Sequence, residues 1–227
     1  MLPTVSEMLD LTNMQVLKIS RNHKIFDHPD RLGMLLKVRR DTPKKKFFRR
    51  PAEIRFGNLR QWNREAAEYL SAMNRGCVEI KRLAGFFGFA MTTEGPALVV
   101  EKLTGPDGRL APTAHSILKG LKPDAPQRRE LQRELHELLS DLEKAKIIFG
   151  DFSLENIVRA DERGGRLVVV DGIGERTLFP ITRFNFTAFR ASFSRRRKLI
   201  DRNFELLNTE DGKITRYRSK LRASDAK

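Results

Sequence analysis

Cysteine is almost missing from this 227-residue chain: Cys77 stands alone, which excludes an intramolecular disulfide and a cysteine-based zinc cage. No run of ~18 apolar residues occurs, so no segment is built to cross a bilayer as a helix. The opening residues, Met1-Leu2-Pro3-Thr4-Val5-Ser6-Glu7, have neither a basic start nor an apolar stretch, which argues against a secretory signal. The four histidines, His23, His28, His115 and His136, are too scattered to suggest a metal site. Acidic residues are also short, 29 against 44 Lys and Arg, leaving a formal charge of +15. What is present is apolar material: 40% of residues, fifteen of them Phe, enough for a packed core and against disorder throughout. A basic, globular, cytoplasmic protein is expected.

The charge is concentrated. Residues 37–64 hold eleven basic and two acidic side chains, and residues 195–227 hold eleven and five; the remainder sums to zero. Such blocks suit anionic partners: nucleic acid, phosphorylated ligands or an anionic membrane surface. Solvated faces that keep the protein soluble would look the same.

Along the chain, Val16-Leu17-Lys18-Ile19 and Ile25-Phe26 read as strands joined across Ser20-Arg21-Asn22-His23-Lys24. Turn residues at 27–33 lead to a third strand, 34–38, expected to be buried except at Lys37. A basic linker, 39–55, precedes a helix over 58–73, whose Leu59, Trp62, Ala66, Tyr69, Leu70 and Met73 recur at spacings of three and four. Strands are predicted at 78–80, 86–92 and 97–101, a short element of undetermined type at 111–122, and an amphipathic helix at 127–146. Strands at 157–158 and 167–170 flank a Gly164-Gly165 turn, and a helix runs over 195–207. The order is α+β, with a small β-rich lobe over 1–103 and a helical lobe over 104–227 that ends in a basic tail.

Three residues in the second part carry the chemistry. Gly150-Asp151-Phe152-Ser153-Leu154-Glu155-Asn156-Ile157 places an Asp five residues before an Asn, and Val170-Asp171-Gly172 follows fifteen residues later. In this order, after an apolar helix and beside aliphatic strands, the motifs resemble the protein-kinase-like phosphotransferase fold. The resemblance implies ATP and Mg²⁺ as cofactors. Asn156 and Asp171 would supply the hard oxygen ligands that magnesium prefers, and Asp151 would orient an acceptor hydroxyl in line with the γ-phosphate. Turn-forming and capping roles would use the same residue types.

The rest of the chain agrees with that fold. Lys37, an isolated cation in an apolar strand, is the counterpart of the lysine that grips the α- and β-phosphates, and either Glu65 or Glu68 would pair with it, Glu65 being favoured. Glu101 ends a strand as the hinge acid does, and the backbone from Glu101 to Leu103 would meet adenine. Lys37, Asp151, Asn156 and Asp171 are expected to share one cleft. Further pieces narrow the likeness: Asp27-His28-Pro29, Gly85-Phe86-Phe87-Gly88, the run from Met91 to Glu101, Asp107-Gly108 and Val169-Val170-Asp171-Gly172-Ile173-Gly174. They resemble the YrbL family of bacterial PhoP regulatory network proteins, over about residues 15–200. That family implies a small kinase-like fold and no defined substrate.

Some features depart from the kinase pattern. Ser20-Arg21-Asn22-His23 contains no glycine, so Ser20, Arg21 or Asn22 side chains would have to help hold phosphate. Phe149 stands where many kinases have His, and Asp171-Gly172-Ile173 lacks the usual Phe. Only 56 residues follow Asp171, which predicts a reduced C-terminal lobe and no peptide-docking platform. Three functional readings remain open. The first is a phosphotransferase acting on a hydroxyl of an undetermined acceptor, whose own negative charge would explain the basic blocks and a peripheral place at an anionic membrane surface. The second is a pseudokinase that binds or regulates without catalysis. The third and least favoured is a nucleic-acid-binding protein, for which Phe47-Phe48 and the phenylalanines before Arg195 would supply stacking.

Overall fold

The computed structural model describes residues 8–20, 23–40, 55–122, 124–175 and 185–206. The chain divides into two units, Met1–Tyr69 with Ala84–Leu103, and Leu70–Leu83 with Thr104–Lys227. Helices and antiparallel sheets occur in a mixed order, the α+β class expected from the sequence.

The first unit is built on a five-stranded antiparallel sheet of β1 (Lys18–Ile19), β2 (His23–Asp27), β3 (Met34–Arg39), β4 (Phe86–Thr92) and β5 (Gly95–Glu101), in the order β1-β2-β3-β5-β4. The register sets Lys37 opposite Ile25 on one side and Leu98 on the other. Strand periodicity then separates two faces. Phe26, Leu36, Val38, Ala97 and Val99 form a core closed by the segment ahead of β1, with Leu11 2% exposed and Leu9, Met14 and Val16 packed around it. That segment is fastened to the β4–β5 hairpin by Leu9 N–H to the Met91 carbonyl (2.9 Å), Thr93 N–H to the Leu9 carbonyl (3.0 Å) and Leu11 N–H to Thr93 Oγ1 (2.9 Å).

Lys37 corrects one expectation. It is buried, at 7% exposure, because β3 is an interior strand paired on both sides. A second correction concerns α1 (Arg60–Asn74). Its buried residues are Trp62, Glu65, Glu68 and Ala72, whereas Leu70 and Met73 are exposed at 66% and 63%. The stripe chosen on hydropathy is rotated from the buried one, which contains two carboxylates. Trp62 anchors this face: its ring stacks on His23 and approaches Phe89, each at 6.2 Å. Trp62 Nε1–H donates to His23 Nε2 at 3.4 Å, and Arg39 Nη1 lies 3.4 Å from the same nitrogen. Two donors meeting at Nε2 require it to be an acceptor, so the ring proton sits on Nδ1. Further along, the Tyr69 ring stacks on Phe86 at 5.4 Å and its hydroxyl donates to the Ala84 carbonyl.

The second unit contains α2 (Ala114–Gly120), α3 (Pro126–Lys144), α4 (Phe186–Leu206) and the hairpin of β6 (Ile157–Ala160) and β7 (Arg166–Val169). Thr113 caps α2 by accepting from Ser116 N–H. In α3, Leu131, Leu135, Leu138 and Leu142 are fully buried at helical spacing, as the amphipathic pattern predicts; Leu139 and Arg128 are buried as well, which widens the packed face beyond that stripe. Where a strand was expected at 78–80 there is a 3₁₀ turn, Val78–Arg82. Buried Arg82 holds it there, donating to Asp141 on α3 (2.7 Å) and to the Leu167 carbonyl on β7 (3.3 Å). The last helix begins at Phe186, nine residues earlier than predicted, and buries Phe189, Phe193, Ile200 and Phe204. Gln132 and His136 on α3 both reach Asp201 on α4, at 2.8 and 2.7 Å. Partial burial acts to raise the Asp201 pKa, but these hydrogen bonds and the nearby imidazole outweigh it and hold the carboxyl below its ordinary value.

Candidate active site

Asp151, Asn156 and Asp171 lie in two loops of the second unit that are bonded to each other. Fully buried α3 leucines lead into Ile147, Ile148 and Phe149, all buried, so the chain enters the first loop from inside the core. Asp151 N–H donates to the Gly172 carbonyl (2.9 Å), and Gly174 N–H donates to the Ile148 carbonyl (2.7 Å). Asn156 crosses the loop, its Nδ2 donating to the Asp151 carbonyl at 3.0 Å. That bond turns the amide so that Oδ1, the oxygen a hard cation prefers, faces the other way. A 3₁₀ turn, Leu154–Asn156, started by Ser153, sets Asn156 directly before β6, and its carbonyl accepts from Val170 N–H at 2.9 Å. Asp171 ends the strand side of the second loop, one carboxylate oxygen taken by Gly172 N–H at 2.6 Å.

Gly172 is where the loops touch. With φ at +86°, a Cβ there would sit 2.8 Å from the Asp151 carbonyl oxygen and 2.9 Å from Asn156 Nδ2. Only glycine allows this approach. The three residues expected from spacing are therefore brought together by backbone bonds rather than by proximity in sequence.

The other candidates lie in the first unit. Lys37 and both α1 carboxylates, Glu65 and Glu68, are buried there; Gln61 Nε2 donates to Glu65 Oε1 at 2.8 Å. Glu101 clasps the turn before β4, accepting from Gly85 N–H (2.8 Å) while its own N–H donates to the Gly85 carbonyl (2.9 Å). Leu103 is buried and is the last residue of the first unit along the chain. Ser20 is absorbed in closing its turn: its hydroxyl accepts from His23 N–H (3.0 Å) and donates to the His23 carbonyl (3.2 Å). Arg21, Asn22 and half of the first basic block, 41–54, lie outside the described residues.

Among the described residues no group of three or more His, Cys, Asp or Glu side chains is placed to hold a metal alone. Two oxygen donors, Asn156 and Asp171, suit Mg²⁺ nonetheless, because that ion keeps waters and substrate phosphates in its shell rather than a full protein cage. An open groove of about 540 Å³ lies elsewhere on the second unit, lined by Glu143, Phe186, Arg190, Ser194 and Arg197 among others, with none of the three site residues bordering it. Of the second basic block, residues 207–227 lie outside the described residues, and the cations of its described part, 195–206, face different ways. Arg197 pairs with Glu143 at 2.7 Å, and Arg196 turns inward to the Phe149 carbonyl, a contact the run of four cations concealed from sequence reading. Arg195, Lys198 and Arg202 are exposed and have no ion-pair partner among the described residues.

Comparison with known proteins gives one family. The model of the PhoP regulatory network protein YrbL matches residues 9–208. No curated protein matches the chain. Among solved structures, the crystal structure of a Stt7 homolog from Micromonas algae soaked with ATP is 15% identical, with 69% of this chain and 47% of that one covered and a TM-score of 0.45. The crystal structure of the PF14_0431 kinase domain is 13% identical, with 73% and 51% covered and a TM-score of 0.49. The chain thus spans about half the length of the solved chains it is similar to.

Proposed function

The chain belongs to the YrbL family of PhoP regulatory network proteins, and from that footing we propose that it is an ATP- and Mg²⁺-dependent phosphotransferase. The observation that carries the reading is the convergence of Asp151, Asn156 and Asp171 around Gly172. In the proposed reaction the acceptor hydroxyl oxygen forms a bond to the γ-phosphorus as the bond to the β,γ-bridging oxygen breaks. ADP leaves, and the hydroxyl proton passes to the Asp151 carboxylate. Bound Mg²⁺, held by Asn156 and Asp171, would offset charge on the phosphates. Lys37 is assigned to the α- and β-phosphates, Glu65 or Glu68 to holding Lys37, the backbone from Glu101 to Leu103 to adenine, and Ser20 and Asn22 to the phosphate-covering turn. On this reading the β-rich unit binds nucleotide and the helical unit carries catalysis.

Thermal unfolding with ATP, with and without Mg²⁺, tests the assignment. At a concentration ~100 times the dissociation constant, wild type should gain about 2.7 kcal/mol from Mg·ATP. Asp171→Ala should fold and lose that gain. An equal response in the mutant would remove the metal role from Asp171.

One observation favours the pseudokinase reading instead. Ser20 spends its hydroxyl on a tight, glycine-free turn, which leaves less freedom to close over phosphates than a glycine-rich loop has. Measurable Mg·ATP stabilisation without conversion of ATP to ADP, with hydroxyl acceptors and water all offered, would select it.

The acceptor is proposed to be anionic and met at an anionic membrane surface, on the strength of the exposed cations of α4. No described helix is long and apolar enough to cross a bilayer, so attachment would be electrostatic. Arg195, Lys198 and Arg202 would each contribute about 1 kcal/mol close to such a surface. Replacing all three with Ser should lower retention on phosphatidylglycerol vesicles roughly 100-fold, and salt should screen the wild-type binding. Unchanged retention would separate these cations from the acceptor.

A further inference from the structure

We propose that Arg196 is a positioning residue that anchors the Phe149 carbonyl and so fixes the backbone presenting Asp151. The catalytic meaning of this anchor rests on the phosphotransferase reading; the anchoring itself does not.

The observation is where the charge sits. α4 advances 100° per residue, which sets Arg196 on the helix face of Phe193 and Ile200, three residues after one and four before the other. Both neighbours are buried. A Leu or Met at 196 would fill that stripe without taking a charge out of water. Burial, aided by neighbouring Arg195, pushes the Arg196 pKa down to about 10, with the Glu175 carboxylate acting the other way. Its Nε is buried, and no described residue accepts from it. Burial, the Arg195 charge and the Nε without a described acceptor all work against an arginine at the position; the Glu175 carboxylate offsets part of this, and the guanidinium's own contacts add to that offset. Nη2 donates to the Phe149 carbonyl, and Cζ lies 5.4 Å from the Phe193 ring centroid.

Phe149 is fully buried and stands two residues before Asp151. The bonds that join Asp151 to Gly172 and Gly174 to Ile148 tie the two site loops to each other, and the Asn156–Asp151 bond braces the first loop internally. They would survive if both loops moved together. Arg196 is different in kind, because it ties the first loop to α4, which is itself clamped to α3 through Asp201 and Glu143. It thus sets where Asp151 stands in the helical frame, leaving the spacing of Asp151, Asn156 and Asp171 to the loops.

Arg196→Met keeps length and apolar contact and removes the donor; Arg196→Lys keeps a donor without the planar fork. Amide hydrogen exchange reads the anchor directly. In Arg196→Met the Asp151 and Gly174 amides should exchange on the order of 10-fold faster, while Val158 and Leu167 in the β6–β7 hairpin keep wild-type rates. Arg196→Lys should fall between, and it carries the comparison where the Met variant fails to fold. Mg·ATP affinity should stay within about threefold, and single-turnover conversion of ATP to ADP, with water as the surrogate hydroxyl acceptor, should slow ~30-fold or more. Wild-type exchange at Asp151, or equal acceleration at Val158 and Leu167, would overturn the proposal. Absence of any ATP effect in wild type would instead defeat the phosphotransferase reading and leave the exchange result to decide the anchor.

Discussion

Gly172→Ala is expected to destabilise the second unit by about 2–5 kcal/mol and to abolish the Mg·ATP response. Two costs combine. A left-handed backbone costs an L-residue roughly 1–2 kcal/mol, and φ at Gly172 is +86°. The new methyl would also stand 2.8 Å from the Asp151 carbonyl oxygen and 3.0 Å from Asp151 Cβ. Those are atoms of a bonded loop, which cannot rotate aside as a flexible side-chain end could, and forced overpacking of this kind costs about 1–3 kcal/mol. The relief available is to separate the loops, which breaks the Asp151–Gly172 bond and moves Asp171 away from Asn156. Gly164 in the β6–β7 turn is the control. Its φ is +62°, and a Cβ there meets nothing within 4 Å, so Gly164→Ala should cost only the conformational part, about 1 kcal/mol. Urea unfolding of both variants separates the effects. Equal losses would show that the close approach at Gly172 has no energetic weight.

The Asp151-Asn156-Asp171 constellation was legible because its geometry is local: a five-residue loop, one hairpin, and strands whose aliphatic runs mark where they begin. One misreading concerns helix phase. Leu70 and Met73 were placed on the buried face of α1 by hydropathy, but the residues it buries include Glu65 and Glu68. A period of three to four also runs through Trp62, Glu65, Tyr69 and Ala72, and the rigid aromatic Trp62 is the better guide to phase. The charge count over 195–227 also hides direction, because a helix fans consecutive residues about 100° apart. Fanning sends Arg196 inward and Arg197 to Glu143, leaving Arg195 and Lys198 exposed. Two other features were out of reach. The 3₁₀ turn at 78–82 depends on Arg82 finding Asp141, 59 positions away. The cover over the outer sheet face depends on Leu9 pairing beside Thr92. Neither partner is visible from local pattern.

The phase of α1 gives the second large effect. Trp62→Ala should cost about 3–5 kcal/mol, the range for emptying a buried aromatic site. Trp62 is 1% exposed and ties α1 to two strands, stacking on His23 of β2 and approaching Phe89 of β4. Trp62→Phe should keep most of the packing and lose the Nε1–H bond to His23, about 1 kcal/mol. Leu70→Ala and Met73→Ala, on the exposed side, should stay within about 0.5 kcal/mol of wild type. Trp62 is the only tryptophan in the chain, so unfolding has to be followed by far-ultraviolet circular dichroism rather than indole fluorescence. The same series bears on function. Glu65 and Glu68 follow Trp62 by three and six residues on the buried face, so loosening this anchor should free the carboxylate assigned to Lys37 and weaken the Mg·ATP response in Trp62→Ala well beyond Trp62→Phe. A Leu70→Ala variant as unstable as Trp62→Ala would mean that the helix is turned the other way, with Leu70 rather than Trp62 on its packed face.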